Sequence, residues 1–303
     1  MSENLNNRNQ SHSSKKVKYN GIHRNQLFHW IGRHIEDKIN ETESRIMTNE
    51  HREEYINCLR GALTEGQGLW AQQPRTNENN GELIGVQRPL VCFTEWNLSE
   101  SLPHTTRYGR MGFGFPKRFV LSNGGQPVTY VTDLKKHQSP YTKAIKAMAQ
   151  ALTTLSSDKN YKNNSNFKQI IKNFDYISQF NKQVKKYPTK RDAPISSARE
   201  RRNTSVTNPY KRVYGSSLQY LEEKEWRIVV PDPAPKFFVS MPQQDSAQNY
   251  FLNFKTGRDL FTLVLPDNAC VNLAMKCPTI RDKLFPPDAP HVTVLSLEDI
   301  GTF

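Results

Sequence analysis

Short apolar runs, each bounded by turn-forming residues, recur along the chain after its first twenty positions. They are rich in Val, Ile, Leu and Phe, and Gly, Pro, Asn or Asp stands beside them, which is the pattern of short β-strands. No internal repeat relates the runs, and together they predict a sheet core. The runs lie at 27–31, 89–95, 118–121, 127–131, 220–231, 237–240, 261–266 and 291–296.

Two neighbouring runs predict a β-hairpin. Residues 118–121 and 127–131 form the predicted arms, and Asn123-Gly124 between them is a strong turn dipeptide. The glycine-rich stretch 107–115 precedes this hairpin, but it has neither the spacing nor the strand–helix setting of a dinucleotide-binding GxGxxG loop. We therefore expect no Rossmann-type site.

Segments with apolar residues three or four positions apart predict helices. One covers 36–63, two more cover 143–155 and 167–184, and a shorter helix or turn lies at 274–284. Strands combined with helices at the front and in the middle of the chain indicate an α+β fold with a mixed sheet.

The run at 220–231 has the most distinctive pattern of charge. Clustered carboxylates precede an apolar, β-branched run that a proline closes. Because side chains alternate between the faces of a strand, Glu223, Glu225 and Arg227 are expected on one face. Two carboxylates together at the mouth of a buried strand suit chemistry that develops positive charge. The alternative is a solvated strand edge on which glutamate and arginine pair.

Positive charge is concentrated in the middle of the chain. The 303 residues have a formal net charge of +13. Residues 135–212 hold 18 Lys and Arg against 4 Asp and Glu, whereas the remaining residues hold 24 basic and 25 acidic side chains. Such a block predicts a polyanionic partner, either nucleic acid or an acidic protein, and the alternative is a basic face solvated by water alone.

Several classes of protein and site lack support in the sequence. There is no run of about 18 apolar residues, so no membrane span is expected. Residues 1–20 are rich in Asn, Ser and Lys and lack the apolar region of a secretory signal, which predicts a disordered arm on a cytoplasmic protein. The 4 cysteines show no CxxC spacing and indicate reduced thiols. Neither HExxH nor GxSxG occurs, so we expect no metal and no serine nucleophile.

Seven short motifs follow one another in a fixed order and together resemble the bacterial abortive-phage-resistance AbiGi-like family. The resemblance spans His29 to Val230 apart from the basic middle segment. The motifs are Cys92-Phe-Thr-Glu, Leu98-Ser, His104, Tyr108-Gly, Gly112-Phe-Gly-Phe, Pro127-Val-x-Tyr-Val and Glu223-x-Glu-Trp-Arg.

A second resemblance concerns mechanism. His29 lies on a first strand that a helix follows, Tyr108 lies further along, and Glu223-Lys-Glu225 opens a late strand. This order is similar to the His–Tyr–Glu arrangement of ADP-ribosyltransferases, which bind NAD in a cleft between two small sheets. The resemblance implies an ADP-ribosyltransferase-like split mixed sheet with an N-terminal helix and a basic helical insertion.

The same resemblance divides the chain into four parts. The disordered arm covers 1–20 and the N-terminal half of the core covers 21–134. The basic helical insertion covers 135–212, and the C-terminal half of the core covers 213–303.

The resemblance also implies catalytic roles for two carboxylates. Glu225 would bond the ribose 2′-hydroxyl and face the oxocarbenium-like centre that forms when the nicotinamide–ribose bond breaks. Glu223 would orient or deprotonate the attacking group.

The implied NAD contacts come from earlier in the chain. His29 would fix the adenosine-side ribose or the diphosphate, although it could equally be a core histidine, and His23 and His34 compete for this role. Tyr108 would stack on the nicotinamide ring, and the alternative is that it only packs. His104 could instead be a base or a capping residue. Arg107 or Arg110 would bind the diphosphate, because the arginine fork suits it, and Thr94 would make a further contact to NAD.

Together the two resemblances imply an ADP-ribosyltransferase toxin of a phage-defence system, which a cognate antitoxin protein would neutralise. It would transfer ADP-ribose from NAD to a macromolecule, most plausibly nucleic acid, with RNA ahead of DNA. The alternatives are a non-enzymatic antitoxin or nucleic-acid-binding module of a two-gene system, and an NAD glycohydrolase on the same fold.

The expected nucleic-acid contacts fall in the basic segment. Bases would stack on aromatic residues chosen from Tyr141, Tyr161, Phe167, Phe174, Tyr176, Phe180 and Tyr187. Phosphates would be bound by Lys185, Lys186, Lys190, Arg191, Arg199, Arg201 and Arg202.

Overall fold

The structure is a computed structural model. It describes residues 25–300 with gaps at 43, 45, 65–67, 73–87, 96–97, 99–100, 102–104, 106–107, 135–136, 139, 185–223 and 243–247.

The described residues form thirteen strands and nine helices, and the expected α+β class with a mixed sheet is confirmed. The strands are β1 (Gln26–Ile31), β2 (Leu69–Ala71), β3 (Leu90–Thr94), β4 (Met111–Pro116), β5 (Gln126–Pro127), β6 (Thr129–Leu134), β7 (His137–Gln138), β8 (Asn181–Val184), β9 (Glu225–Val229), β10 (Phe238–Pro242), β11 (Gln248–Leu252), β12 (Thr262–Leu265) and β13 (Thr293–Ser296). The helices are α1 (Arg33–Glu41), α2 (Asn49–Leu63), α3 (Lys117–Ser122), α4 (Pro140–Ser157), α5 (Lys159–Lys162), α6 (Ser165–Ser178), α7 (Asn268–Lys276), α8 (Pro278–Leu284) and α9 (Leu297–Ile300).

A seven-stranded sheet organises the fold, with strand order β13-β12-β4-β1-β3-β9-β5. Its neighbours are antiparallel except for β12 and β13, which are parallel, so the sheet is mixed. Two three-stranded sheets accompany it, in the orders β10-β11-β2 and β7-β6-β8.

The two faces of the large sheet bury different sets of side chains. The first face carries the main core, to which β1 contributes Leu27 and β4 contributes Phe113 and Phe115. The second face carries a smaller cluster that includes Phe28 and Trp30 of β1. Strand alternation therefore separates the side chains of β1 between two cores.

The glycines of β4 make room for aromatic rings on the second face. A Cβ atom on Gly112 would lie 2.7 Å from the Trp30 ring, and one on Gly114 would lie 2.7 Å from the Phe28 ring. The stretch Met111–Pro116 thus alternates large side chains on the main core with glycines beneath aromatic rings. Close packing explains these glycines without any nucleotide-binding loop.

A helical insertion follows β6. Helices α4, α5 and α6 lie between β7 and β8, and β8 returns to pair in parallel with β6. In this register Thr129 lies beside Asn181, and the Thr129 amide donates a 2.7 Å hydrogen bond to the Phe180 carbonyl. The insertion is therefore attached to the core at both of its ends.

The predicted hairpin is wrong in its first arm. Lys117–Ser122 forms helix α3, whose Phe119 and Val120 are buried, and the Gly125 amide donates to the Val120 carbonyl. Gly124 adopts φ 77° in the turn that ends this helix. A run of three apolar residues fits one helical turn as well as a short strand, and Asn123-Gly124 serves as a helix end.

Two predicted helices have different bounds in the structure. The helical pattern at 36–63 is interrupted, because α1 ends at Glu41 and Thr48 caps a separate helix α2 by accepting a hydrogen bond from the His51 amide. The helix predicted to reach residue 184 ends at Ser178, and strand β8 follows it.

Strands β2, β4, β7 and β11 were not predicted. Strand β4 lies within the large sheet, in the glycine-rich stretch, whereas β2 and β11 belong to the small β10-β11-β2 sheet, where Trp70 of β2 lies opposite Phe251 of β11. Among the described helices, none has the length and apolar character needed to cross a membrane.

The Gly112→Ala substitution tests the packing of β4. We expect it to lower the free energy of unfolding by about 1–3 kcal/mol, because the new methyl group overlaps the Trp30 ring. Chemical denaturation measures this. In a Trp30→Leu background, Gly112→Ala should cost less, because the ring that its methyl group overlaps is absent. Strictly additive effects of the two substitutions would show that the contact is not responsible.

Candidate functional site

The carboxylate of Glu225 lies in a buried ion pair. Arg227, two residues further along β9, donates from Nε to Glu225 Oε1 at 2.8 Å. The side chains of Glu225 and Arg227 are 6% and 13% exposed. Both lie on the second face of the sheet, as strand alternation predicts, and the alternative of a solvated edge does not describe this pair.

Arg227 also reaches out of the sheet to the insertion. Its guanidinium donates a hydrogen bond to the carbonyl of Gln179, the residue that caps the C-terminus of α6. Cations are favoured at helix C-termini, where carbonyl groups lack partners within the helix. Burial lowers the pKa of the Arg227 guanidinium, but the negative charge of Glu225 more than offsets this, and the pKa lies above its usual range.

Apolar packing surrounds this contact. Phe180 forms a buried cluster with Leu90 of β3 and Val229 of β9, and Tyr176 packs against it with its ring 5.4 Å from that of Phe180. The ion pair therefore lies where the end of α6 rests on the large sheet.

The residue before Glu225 has an unusual backbone conformation. Lys224 adopts φ 42°, a region that L-residues rarely occupy, and its carbonyl accepts a hydrogen bond from the Glu95 amide at 3.2 Å. The chain thus turns sharply into β9. Glu223, the second predicted catalytic carboxylate, lies outside the described residues.

Glu95 forms a second polar cluster that the sequence did not reveal. Its carboxylate accepts hydrogen bonds from Lys117 Nζ and from the indole of Trp226, both at 2.9 Å. Lys117 Nζ also lies 4.5 Å from the centre of the Trp226 ring. This cluster joins β3, β9 and α3. A signal that could have found this cluster is the pair of motifs Thr94-Glu95 and Glu225-Trp226, because these residues come from adjacent strands.

His29 faces the other side of the sheet from Glu225. The register pairs Phe28 with Thr94 and Thr94 with Glu225, which puts these three side chains on one face, whereas His29 alternates with Phe28. The His29 ring lies 5.8 Å from that of Phe93, a residue of the main core.

The protonation state of His29 follows from its surroundings. Nδ1–H donates to the Cys92 carbonyl at 2.7 Å, which fixes the tautomer, since a carbonyl only accepts. Burial lowers the pKa of His29 to about 4, and the bond to Cys92 opposes that shift. His29 is therefore a neutral imidazole near neutral pH.

Tyr108 and Thr94 lie on the same face as Glu225 but in different surroundings. Tyr108 is half-buried against the cluster that contains Phe28 and Trp30. Thr94 is buried, and its hydroxyl lies 3.5 Å from the Phe28 carbonyl. The structure therefore brings Thr94 beside Glu225, and it gives Tyr108 an apolar environment.

Arg110 binds a buried carboxylate. Its guanidinium lies 3.1 Å from Glu36 of α1, and its amide donates to the Tyr55 hydroxyl at 3.0 Å. That hydroxyl donates to Glu36 at 2.7 Å. Burial raises the pKa of Glu36, while Arg110 and Tyr55 oppose the shift, and burial also raises the pKa of Tyr55. The predicted diphosphate ligand is thus part of an internal network that joins α1, α2 and the start of β4.

The other predicted site residues lie outside the described part of the chain. These are His23, His104, Arg107, Tyr187 and the phosphate-binding set Lys185, Lys186, Lys190, Arg191, Arg199, Arg201 and Arg202. His34 is described, is exposed and lies 3.6 Å from Glu54 on the helical side of the fold. Within the described ranges no group of three His, Cys, Asp or Glu side chains could hold a metal ion.

Comparison with known proteins identifies a family. A family model described as "Putative abortive phage resistance protein AbiGi, antitoxin" matches residues 72–237, which extend from the end of β2 through the insertion to the start of β10. Neither a curated protein nor a solved structure matches the chain.

This match corrects the functional expectation. The family is described as an antitoxin, which contradicts the predicted ADP-ribosyltransferase toxin and favours the alternative of an antitoxin in a two-gene system. The role in abortive infection and phage defence agrees with the family description. The ADP-ribosyltransferase-like form of the fold and the binding of NAD stay predictions from the sequence.

A double-mutant cycle tests the role of the Glu225–Arg227 pair. Glu225→Ala should lower the free energy of unfolding by about 3–5 kcal/mol, because it leaves the Arg227 guanidinium buried without its counter-charge. In Glu225→Ala/Arg227→Met the loss should be several kcal/mol smaller than the sum of the single losses.

The matched control for this cycle is Glu54→Ala, which removes a more exposed pair with Lys38 and should cost under about 1 kcal/mol. Equal, small losses for Glu225→Ala and Glu54→Ala in denaturant titrations would contradict a structural role for the buried pair.

The pH dependence of stability tests the environment of His29. Its folded pKa of about 4 lies below the ordinary value of 6.5, so the unfolded chain binds this proton more readily. Stability should therefore be unaffected by His29 above pH 6.5 and fall progressively as the pH drops from 6.5 towards 4.

Replacing His29 by Gln removes this group and should flatten the decline over that window, as measured by denaturation at a series of pH values. An NMR-titrated pKa for His29 near 6.5 would contradict the burial that we describe.

Proposed function

This chain belongs to the AbiGi family of abortive phage resistance proteins, described as antitoxins, and we propose that it neutralises a cognate toxin in a two-gene phage-defence system. We further propose that it does so by binding, without catalysis. The family match supports the first part, because it covers more than half of the chain.

The state of Glu225 is the observation that carries the second part. A carboxylate that stabilises a developing cation must present its charge to the substrate. Here the Glu225 carboxylate is 6% exposed and already neutralised by Arg227 at 2.8 Å. The same pair holds the end of α6 on the sheet through the Gln179 carbonyl, so the Glu225–Arg227 pair has a structural role in the folded protein.

The placement of the other predicted catalytic groups is consistent with this proposal. His29 lies on the opposite face of the sheet from Glu225 and hydrogen-bonds to Cys92, while Arg110 is bound to Glu36. Binding of NAD and of RNA remain predictions from the sequence, and isothermal titration with each would test them on the purified chain.

Paired expression in a bacterial host tests the proposed function. Expression of this chain alone should leave growth unchanged, expression of the product of the neighbouring gene alone should arrest it, and expression of both should restore growth. Growth arrest by this chain alone, or failure to restore growth, would overturn the proposal.

Glu225→Gln provides the discriminating variant, because the amide keeps the shape of the side chain and can still accept a hydrogen bond from Arg227. Because Arg227 loses its counter-charge, we expect a less stable protein that keeps its fold through this hydrogen bond and restores growth as the wild type does, after matching of soluble protein levels on immunoblots. A folded Glu225→Gln protein that fails to neutralise would instead indicate a chemical role for the carboxylate.

A further inference from the structure

Helix α4 is long and lies near the surface. Each of its residues for which the structure gives an exposure is exposed or half-buried. It covers Pro140–Ser157, and it contacts the rest of the fold mainly through β6, β7 and α5. An isolated helix of this length is marginal in water, and helices in proteins gain most of their stability by burying an apolar face. The apolar side of α4 stays partly exposed within the described part of the chain.

The apolar residues of α4 lie along one side of the helix. Tyr141, Met148 and Leu155 are seven residues apart, and Ile145 and Leu152 fall between them on the same side. Tyr141, Met148 and Leu155 are 47%, 50% and 36% exposed, and the other two are half-buried.

Helix α6 has a comparable exposed strip. Ile170 and Ile177, seven residues apart, are 54% and 59% exposed, and Phe174 lies between them on the same side. The side of α6 that rests on the core instead uses Tyr176, together with Phe180 beyond its end. The strip therefore faces away from the contact that fixes the helix.

Exposed apolar side chains are concentrated in this insertion. The described chain has nine large hydrophobic residues with high exposure, and six of them lie between positions 141 and 177. A concentration of this kind marks an interaction surface. We use the name insertion face for these two exposed strips together, Tyr141, Met148 and Leu155 on α4 and Ile170 and Ile177 on α6.

The composition of the insertion face favours a protein partner. Nucleic acid is bound by lysine and arginine on phosphates and by aromatic rings on bases, whereas four of the five residues here are aliphatic. Lys143 and Lys146 fall on the other side of α4. Aliphatic groups gain by burial against apolar groups of another protein.

The positive charge of this chain indicates what kind of protein would bind the insertion face. Residues 140–178 carry six lysines against Asp158 and Asp175, and the whole chain has a formal net charge of +13. A second copy would bring like charges together, and residues 185–212 are themselves strongly basic. The complementary occupant is an acidic protein with an apolar patch.

We propose that the insertion face binds the cognate toxin, through an apolar patch on a protein that carries net negative charge. The proposal rests on the antitoxin function proposed above and names its binding surface. The Arg227–Gln179 contact and the β6–β8 pairing hold this surface on the core.

Three charge substitutions test the proposal in the full-length chain. Met148→Glu and Ile177→Glu place a carboxylate on the insertion face, and Ile46→Glu is the matched control at a site that is 66% exposed and outside the insertion. Because all three sites are exposed, circular dichroism and thermal melts should match those of the wild type. The probe is the purified product of the neighbouring gene, with binding measured by titration calorimetry and growth measured on co-expression.

We expect Met148→Glu and Ile177→Glu each to weaken binding at least about tenfold and to lose neutralisation, and Ile46→Glu to behave as the wild type. If the wild type binds the probe and both insertion variants bind it equally well, the surface is wrong while the antitoxin function stands. If the wild type neither binds nor neutralises, the antitoxin function itself fails.

Two further measurements address the other occupants. Sedimentation of the chain alone should show a monomer, and an oligomer that Met148→Glu dissociates would identify a second copy as the occupant. Binding of a single-stranded RNA 20-mer that Met148→Glu and Ile177→Glu abolish would assign the face to nucleic acid. Either result would overturn the proposal.

Discussion

The buried guanidinium of Arg227 is the constraint on which the arrangement of this protein depends. A charge at that depth is tolerated only with a counter-charge and hydrogen-bond acceptors, and the fold provides both from different places. Glu225 supplies the counter-charge from the same strand, and the Gln179 carbonyl supplies an acceptor from the end of α6. One side chain therefore joins the central sheet to a helical insertion, at Gln179, which lies 48 residues earlier in the chain.

This linkage gives the insertion a defined position, and its exposed apolar face then has a defined direction. Phe180 and Tyr176 pack on the sheet side, while Ile170 and Ile177 point away from it. An antitoxin that acts by binding requires such a preorganised surface, because ordering a mobile one would reduce its affinity. The Glu225–Arg227 pair therefore positions the insertion face for binding.

Part of the fold could be predicted from the sequence, because several strands are apolar runs closed by turn residues. Strand β4 was missed, since glycines interrupt its apolar pattern. The pairing of Glu225 with Arg227 on one strand face also followed from alternation. The function could not be predicted in the same way. Glu225 next to a buried arginine and Glu225 next to a substrate have the same local sequence, and only the register and the distant Gln179 distinguish them. Likewise, one helical turn in Lys117–Ser122 and a short strand share one apolar pattern.

Hydrogen–deuterium exchange of the full-length chain, with and without the product of the neighbouring gene, tests directly whether the insertion is anchored by Arg227 and binds the toxin. In the free protein, the amides in the last turn of α6, next to Gln179, should exchange more slowly than those in the first turns of α4. The reason is that the contact with Arg227 anchors the C-terminal end of α6. On complex formation, we expect strong new protection across residues 140–178 and little change in α7 and α8. Protection confined to α7 and α8, with unchanged exchange across the insertion, would contradict this expectation.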